Sequence, residues 1–176
     1  IQNTISNIVA FEYGGWGDPN PPNALLGCIA LIRQTLFDTD WYQKAVKILE
    51  DHPQGNEPIS ENFSLASLSE ATLVNQPFLF WAEDENYSLR SIDIAAEFDL
   101  NLWLKGNGFE YRRLTEIVAS NPFIILPIDF PGKPDVAHPY RALQYSTAQL
   151  RHWDLAPDNY KKLRDTKASI ALTSAD

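Results

Sequence analysis

The sequence predicts an α/β protein built on a parallel sheet of βα units, and three observations carry that expectation. Apolar runs beginning at Phe78, Leu102 and Phe123 recur at just over twenty residues, the length of a compact βαβ step whose crossover helix makes the strands parallel. The runs "FLFWA", "LNLWLK" and "FIILPI" are almost continuously apolar, as in strands covered on both faces. Between them, residues 89–98 and 109–120 carry apolar side chains at the three-to-four spacing of amphipathic helices.

Taken in order, residues 1–23 read as a leading loop segment, because "EYGGWGDPNPPN" gathers Gly, Pro and Asn, which set turns and interrupt helices. Residues 24–176 read as a single α/β domain. From Ala24 the pattern turns helical, with Leu25, Leu26, Ile29, Leu31, Ile32, Leu36 and Phe37 on a wide apolar face. A second helix is expected over 40–49. The polar, proline-containing stretch 51–62 reads as a surface loop whose last serine and asparagine are suited to capping a short helix at 65–73. The three βα-type strands and their helices follow. Then comes the long proline-rich connection "DFPGKPDVAHPYRAL", helices near 146–152 and 157–166, and "SIALTSAD" as a last strand. The chain begins with Ile1, contains no methionine and closes on a strand without a covering helix. It is therefore expected to be a piece of a larger polypeptide, taken from a longer array of such units.

Composition narrows the class. A hydrophobic fraction of 44% with 12% aromatics is that of a globular chain, and no apolar run reaches the roughly 20 residues that span a bilayer. A soluble protein with no membrane span is expected. With 14 basic against 23 acidic residues, the net charge is −9, and no Lys/Arg cluster offers a footprint for a phosphate backbone, so nucleic acid is not an expected partner. Cys28 is the sole cysteine, which excludes an internal disulfide and a multi-cysteine zinc site. It lies inside the apolar "ALLGCIALI" and reads as a buried structural thiol.

Several residues could carry chemistry, each beside a plainer reading. Glu83, Asp84, Glu85, Lys105, Glu110 and Asp129 follow strand ends, the side of a parallel sheet where ligands bind. Carboxylates there could form an acid/base pair or simply be hydrated. "KGNG" before "FEYRRL" could hold an anion at a helix start or serve only as a tight turn, since it matches neither phosphate-loop pattern. His138 and His152 are fourteen residues apart without a carboxylate at ligand spacing. Either they converge on a metal, or His152, beside Trp153 and Asp154, anchors a loop by ring packing and a hydrogen bond. No G-x-S-x-G elbow supports a serine nucleophile.

Four stretches together, "LLGCIALIRQTLFDTDWY", "LRSIDIAAEFDLNLWLKGNGFEYRRL", "FIILPIDFPGKPDV" and "LRHWDLAPDNYKKL…SIALTSAD", resemble the metal-dependent amidohydrolase superfamily. The likeness is to its imidazolonepropionase-like branch and to long amidohydrolase-related proteins of bacteria. The resemblance implies a partial TIM (β/α)8-type barrel, of which this chain is the later part, with chemistry at the C-terminal strand ends. The family holds one or two divalent metals through an HxH pair, a Lys or Glu, two further histidines and an Asp, and activates a water on them. Here the fifth-strand histidine position falls on Trp81, the sixth on Gly106 or its neighbour Lys105, and the eighth-strand aspartate near Ala175 or Asp176; no HxH occurs. Indole nitrogen and ammonium offer no lone pair, and glycine has no side chain.

The resemblance therefore implies a degenerate, non-catalytic module without a cofactor, acting as scaffold, interface or small-ligand binder at a strand-end pocket. The pocket candidates are Trp81, Glu83, Lys105, Gly106, Glu110, Asp129 and Asp176. Its expected partners are the remainder of a larger polypeptide or a catalytic amidohydrolase module, with a homo-oligomer as a further possibility. The alternative is a hydrolase of amide or peptide-like bonds that uses zinc or another divalent metal once joined to its missing strands. By family resemblance, a periplasmic or secreted location is open.

Overall fold

A computed structural model describes residues 5–15, 19–55 and 57–174. Five strands, β1 (Asn7–Ala10), β2 (Phe78–Trp81), β3 (Leu102–Lys105), β4 (Phe123–Pro127) and β5 (Ser169–Thr173), lie in that order in one parallel sheet. The helices are α1 (Leu25–Asp51), α2 (Phe63–Leu73), α3 (Glu85–Glu97), α4 (Leu114–Ala119), α5 (Pro139–Ala142), α6 (Thr147–Leu155) and α7 (Asn159–Asp165). The α/β class and the parallel sheet expected from the twenty-residue spacing are both present. Among the described residues, no helix is long and apolar enough to cross a membrane.

The chain forms two compact units. The first is drawn from the chain up to Phe78 together with Ala96–Asn101, the second from Leu79–Ala95 and from Leu102 onward. In the first unit, the stretch read as a leading loop contains β1, whose Asn7 N–H donates to Pro77 O at 2.9 Å. The two helices expected over 24–49 are one helix, α1, of 27 residues. Nothing between Phe37 and Trp41 breaks it, because Asp38, Thr39 and Asp40 find partners one turn away: Gln34 Nε2 donates to Asp38 Oδ1, Thr39 Oγ1 to Thr35 O, and Lys44 Nζ pairs with Asp40. Asn62 caps α2 as the loop composition suggests, its Oδ1 accepting from Ser64 N–H and Leu65 N–H, each at 3.1 Å. Cys28 is buried with its Sγ 3.8 Å from Ala10 O. Burial, and then the negative charge of Glu12, raises its pKa above that of a free thiol.

In the second unit, β3 and β4 align Trp103 with Phe123 and Lys105 with Ile125, while β4 and β5 align Ile124 with Ile170 and Leu126 with Leu172. Phe80, Leu104, Ile124 and Leu126 from the strands, with Ile94, Ile117 and Leu163 from α3, α4 and α7, are at most 2% exposed and form the core. The residues between them on the strands, Leu79, Trp81, Trp103, Lys105, Phe123 and Ile125, are only half-buried or exposed. The continuous apolar runs thus suggested full cover on both sheet faces, and the structure provides it on one. On the other face apolar residues remain because aromatic neighbours cover each other, Trp103 and Phe123 lying 4.7 Å apart between ring centroids.

The helix expected over 109–120 is also divided. A 3-10 turn, Glu110–Arg112, precedes α4, because the Glu110 side chain turns inward to satisfy the loop before it. The long connection after β4 contains the single turn α5, and α6 starts on a capping box between Ser146 and Gln149.

Candidate functional site

The C-terminal ends of β2 and β3 stand side by side, Ala82 N–H donating to Lys105 O at 3.2 Å. Trp81, at the fifth-strand histidine position, consequently meets Lys105, which with Gly106 is one of the two residues to which the resemblance assigns the sixth. Lys105 Nζ lies 4.4 Å from the centroid of the Trp81 ring, an ammonium held over an indole face. Neither group can donate an electron pair to a metal while the lysine is protonated. Among the described residues no cluster of three or more His, Cys, Asp or Glu could hold a metal ion. The side chains present here therefore do not fit a divalent cation at these two strand ends. Glu83 is exposed just beyond β2. Asp176 lies outside the described residues, as does Ala175.

Gly106 and Glu110 belong to one buried arrangement. Glu110 is 1% exposed, and its carboxylate accepts from Asn107 N–H (2.8 Å), Gly108 N–H (3.1 Å) and Asn159 Nδ2 (2.6 Å). Asn159, at the start of α7, accepts in turn from Tyr111 N–H through Oδ1 at 2.8 Å. Asn107 Nδ2 donates to Ala82 O at 2.7 Å, and Asn107 Oδ1 accepts from Phe109 N–H at 2.9 Å. Glycine is required at 106 because a Cβ there would collide with the Glu110 carboxylate and approach Leu126 Cδ2 to 2.9 Å. Gly108 has φ of +90°, a conformation that side-chain-bearing residues rarely adopt. "KGNG" is thus a turn whose amides point at a side-chain carboxylate of the protein itself. Glu110 is engaged by this loop and by α7, three donors occupying its two oxygens in a buried setting.

Past this clamp, a cleft of about 450 Å3 opens at the ends of β4 and β5. Its walls include Pro127, Ile128, Phe130, Pro157 and Leu172, with Asp129, His152, Tyr160 and, from the Glu110 arrangement itself, Asn107 and Asn159 as polar groups. Asp129 is exposed and, among the described residues, is the one formal charge on the lining. His152, from α6, stacks on Phe109 at 3.7 Å between centroids, and its Nδ1 is 3.3 Å from the Tyr111 hydroxyl. Burial first, then the positive charge of Arg112, pushes its pKa down, with Glu85 opposing. Arg112 itself lies over Phe109 at 4.5 Å and pairs with Glu85 at 3.3 Å. His152 is therefore a neutral ring packed into the cleft wall, with the stacking and hydrogen bond anticipated for it, though on a helix rather than in a loop. His138 instead caps α5, accepting from Tyr140 N–H.

Of the strand-end residues singled out in the sequence, the structure brings together Trp81 with Lys105, and Gly106 with Glu110; Asp129 stands in the cleft. Sequence reasoning did not select Asn107, Asn159 and Tyr160 as site residues. Asn159 lies 49 positions from the Glu110 it binds, and no local signal links them.

No protein-family model matches the chain, and no curated protein matches its sequence. Among solved structures, the chain is similar to an amidohydrolase from Thermotoga maritima MSB8, with a TM-score of 0.71 over 99% of this chain at 19% identity. The chain spans 42% of the length of that protein. At this identity the likeness speaks for the fold, a partial barrel-type arrangement of βα units.

Proposed function

We propose that the chain is a non-catalytic, amidohydrolase-like module of a larger protein, serving as a scaffold that binds a small ligand at its strand ends. The observation that carries this reading is the contact of Lys105 with Trp81. Where metal-dependent relatives would place imidazoles, this chain places an indole and either Gly106 or Lys105, whose ammonium lies over that indole. The neighbouring acid, Glu110, is committed to three donors. What remains for a ligand is the cleft beyond β4. A volume of about 450 Å3 suits a small molecule. With Asp129 as its one formal charge among the described residues and a neutral His152, it favours a flat apolar body bearing a positive group over an anion.

The remaining strands of a barrel, and with them a partner catalytic module, would lie elsewhere in the polypeptide; the neighbour's greater length supports this. A metal-dependent hydrolase reading would need its histidines from outside these 176 residues.

Metal analysis of the purified chain, paired with an assay on dipeptides and cyclic amides, tests the absence of catalysis. Substoichiometric metal and no hydrolysis are expected, whereas stoichiometric zinc, iron or manganese with turnover would overturn the proposal. For the cleft, benzylamine and benzoate carry the same ring and opposite charge. Benzylamine is expected to perturb the NMR signals of His152 and Tyr160, and Asp129→Asn to weaken it about tenfold, as loss of a charged partner does. Equal binding of benzoate would refute the charge preference while leaving the cleft as a ligand site.

A further inference from the structure

Asn107 is the one asparagine of the chain that is followed by glycine. Such a pair readily loses ammonia, because glycine puts no side chain in the way of its own nitrogen. In that reaction the Gly108 backbone nitrogen attacks Asn107 Cγ. The N–Cγ bond forms, the Cγ–Nδ2 bond breaks, and Nδ2 leaves as ammonia with the proton that the Gly108 nitrogen gives up. Water then opens the five-membered imide at one carbonyl or the other, leaving aspartate or isoaspartate. The attack needs a free Gly108 nitrogen and an Asn107 side chain able to swing over it.

The fold denies both. Gly108 N–H is donated to Glu110 Oε2 at 3.1 Å. The Asn107 amide is held at its two ends, Nδ2 donating to Ala82 O at 2.7 Å and Oδ1 accepting from Phe109 N–H at 2.9 Å, and Asn107 N–H is itself tied to Glu110 Oε1. Reaction therefore requires a local opening of the loop that releases these bonds. Afterwards the clamp could not close as before. An aspartate at 107 has no N–H for Ala82 O and sets a negative oxygen against that carbonyl, while an isoaspartate lengthens the backbone between the two amides that Glu110 holds. Asn107 and Gly108 also line the cleft beyond β4, so the change would be written into its wall. We propose that Asn107–Gly108 is a latent modification site, converted to aspartate and isoaspartate when the Glu110 clamp opens and kept inert while it is closed.

Peptide mapping by mass spectrometry, on the 176-residue chain held at mildly alkaline pH in buffer and in denaturing urea, tests this. The parent chain is expected to convert at Asn107 in urea and at least about tenfold more slowly in buffer. Glu110→Ala should raise the rate in buffer at least about tenfold, with Glu110→Gln, which keeps the volume, in between. Ile94→Ala, a cavity in the core rather than a change in the loop, separates the clamp from overall stability. Compared with Glu110→Ala at equal folded fraction by circular dichroism, it should leave Asn107 slow. Conversion of the parent as fast in buffer as in urea overturns the proposal. So does a rate unchanged in both Glu110 variants, or an Ile94→Ala rate equal to that of Glu110→Ala at the same folded fraction, which would make overall unfolding the only gate.

Discussion

Two loops leave the C-terminal ends of neighbouring strands, one after β3 and one after β4, and each carries an acid to which the sequence attaches the same expectation. The structure separates them. Around Gly106–Glu110 every polar group is spoken for, Glu110 holding two loop amides and the Asn159 side chain. After β4 the loop is held at wider intervals: Ile128 N–H donates to Thr173 O, and Asp135 N–H to the Tyr145 hydroxyl, while Asp135 pairs with Arg141. Between those ties Ile128, Asp129 and Phe130 face solvent over the cleft. A buried carboxylate that holds two loop amides and a distant side chain is a structural part, whereas one left to water is available to a ligand. Residue type and strand-end position are common to both; only the partners differ.

The sharpest test of that contrast is Glu110→Ala. It strands two part-buried loop amides and the buried Asn159 side chain, and is expected to cost about 3 kcal/mol in urea denaturation. Glu110→Gln, which keeps the volume and forces one amide donor against another, should cost about 1–2 kcal/mol. Gly106→Ala pushes a methyl into the same carboxylate and into Leu126, for a loss of about 2 kcal/mol.

Acid titration probes the wall between the two loops. The folded state lowers the His152 pKa below the free value of 6.5, so unfolding in that window takes up a proton. The neutral ring's contribution is intact above about 6.5 and is lost as pH falls from there through the lowered folded value. Thermal melts on either side of 6.5 should show this loss, and His152→Gln should flatten it. If the slope persists in the variant, another group is responsible.

Smaller effects belong to the exposed side of the comparison. Lys105→Met removes the cation from the Trp81 face and should cost about 0.5–1 kcal/mol while changing tryptophan fluorescence. Asp129→Asn should leave stability within about 0.5 kcal/mol of the parent. A larger loss there would mean that Asp129, too, is structural, and the distinction between the two loops would fail.

Much of the architecture was legible because periodicity is a local property. The spacing of Phe78, Leu102 and Phe123 announced parallel βα steps, and Asn62 announced a helix start, since a cap acts on residues two or three positions away. The same locality misled near residue 40, where a second helix is expected to begin. The partners of Asp38, Thr39 and Asp40 lie one helical turn along, and α1 runs through. It misled again at 109–120, where good helical spacing yielded to the inward turn of Glu110. Apolar spacing and capping residues were enough to settle the α/β class and the order of its elements, because both act within a turn or a strand. The fates of Glu110, Asp129 and His152 were settled instead by residues far along the chain, Asn159 for the first and Phe109 and Tyr111 for the last. Burial and hydrogen bonding are decided by whatever the completed fold brings within about 3 Å.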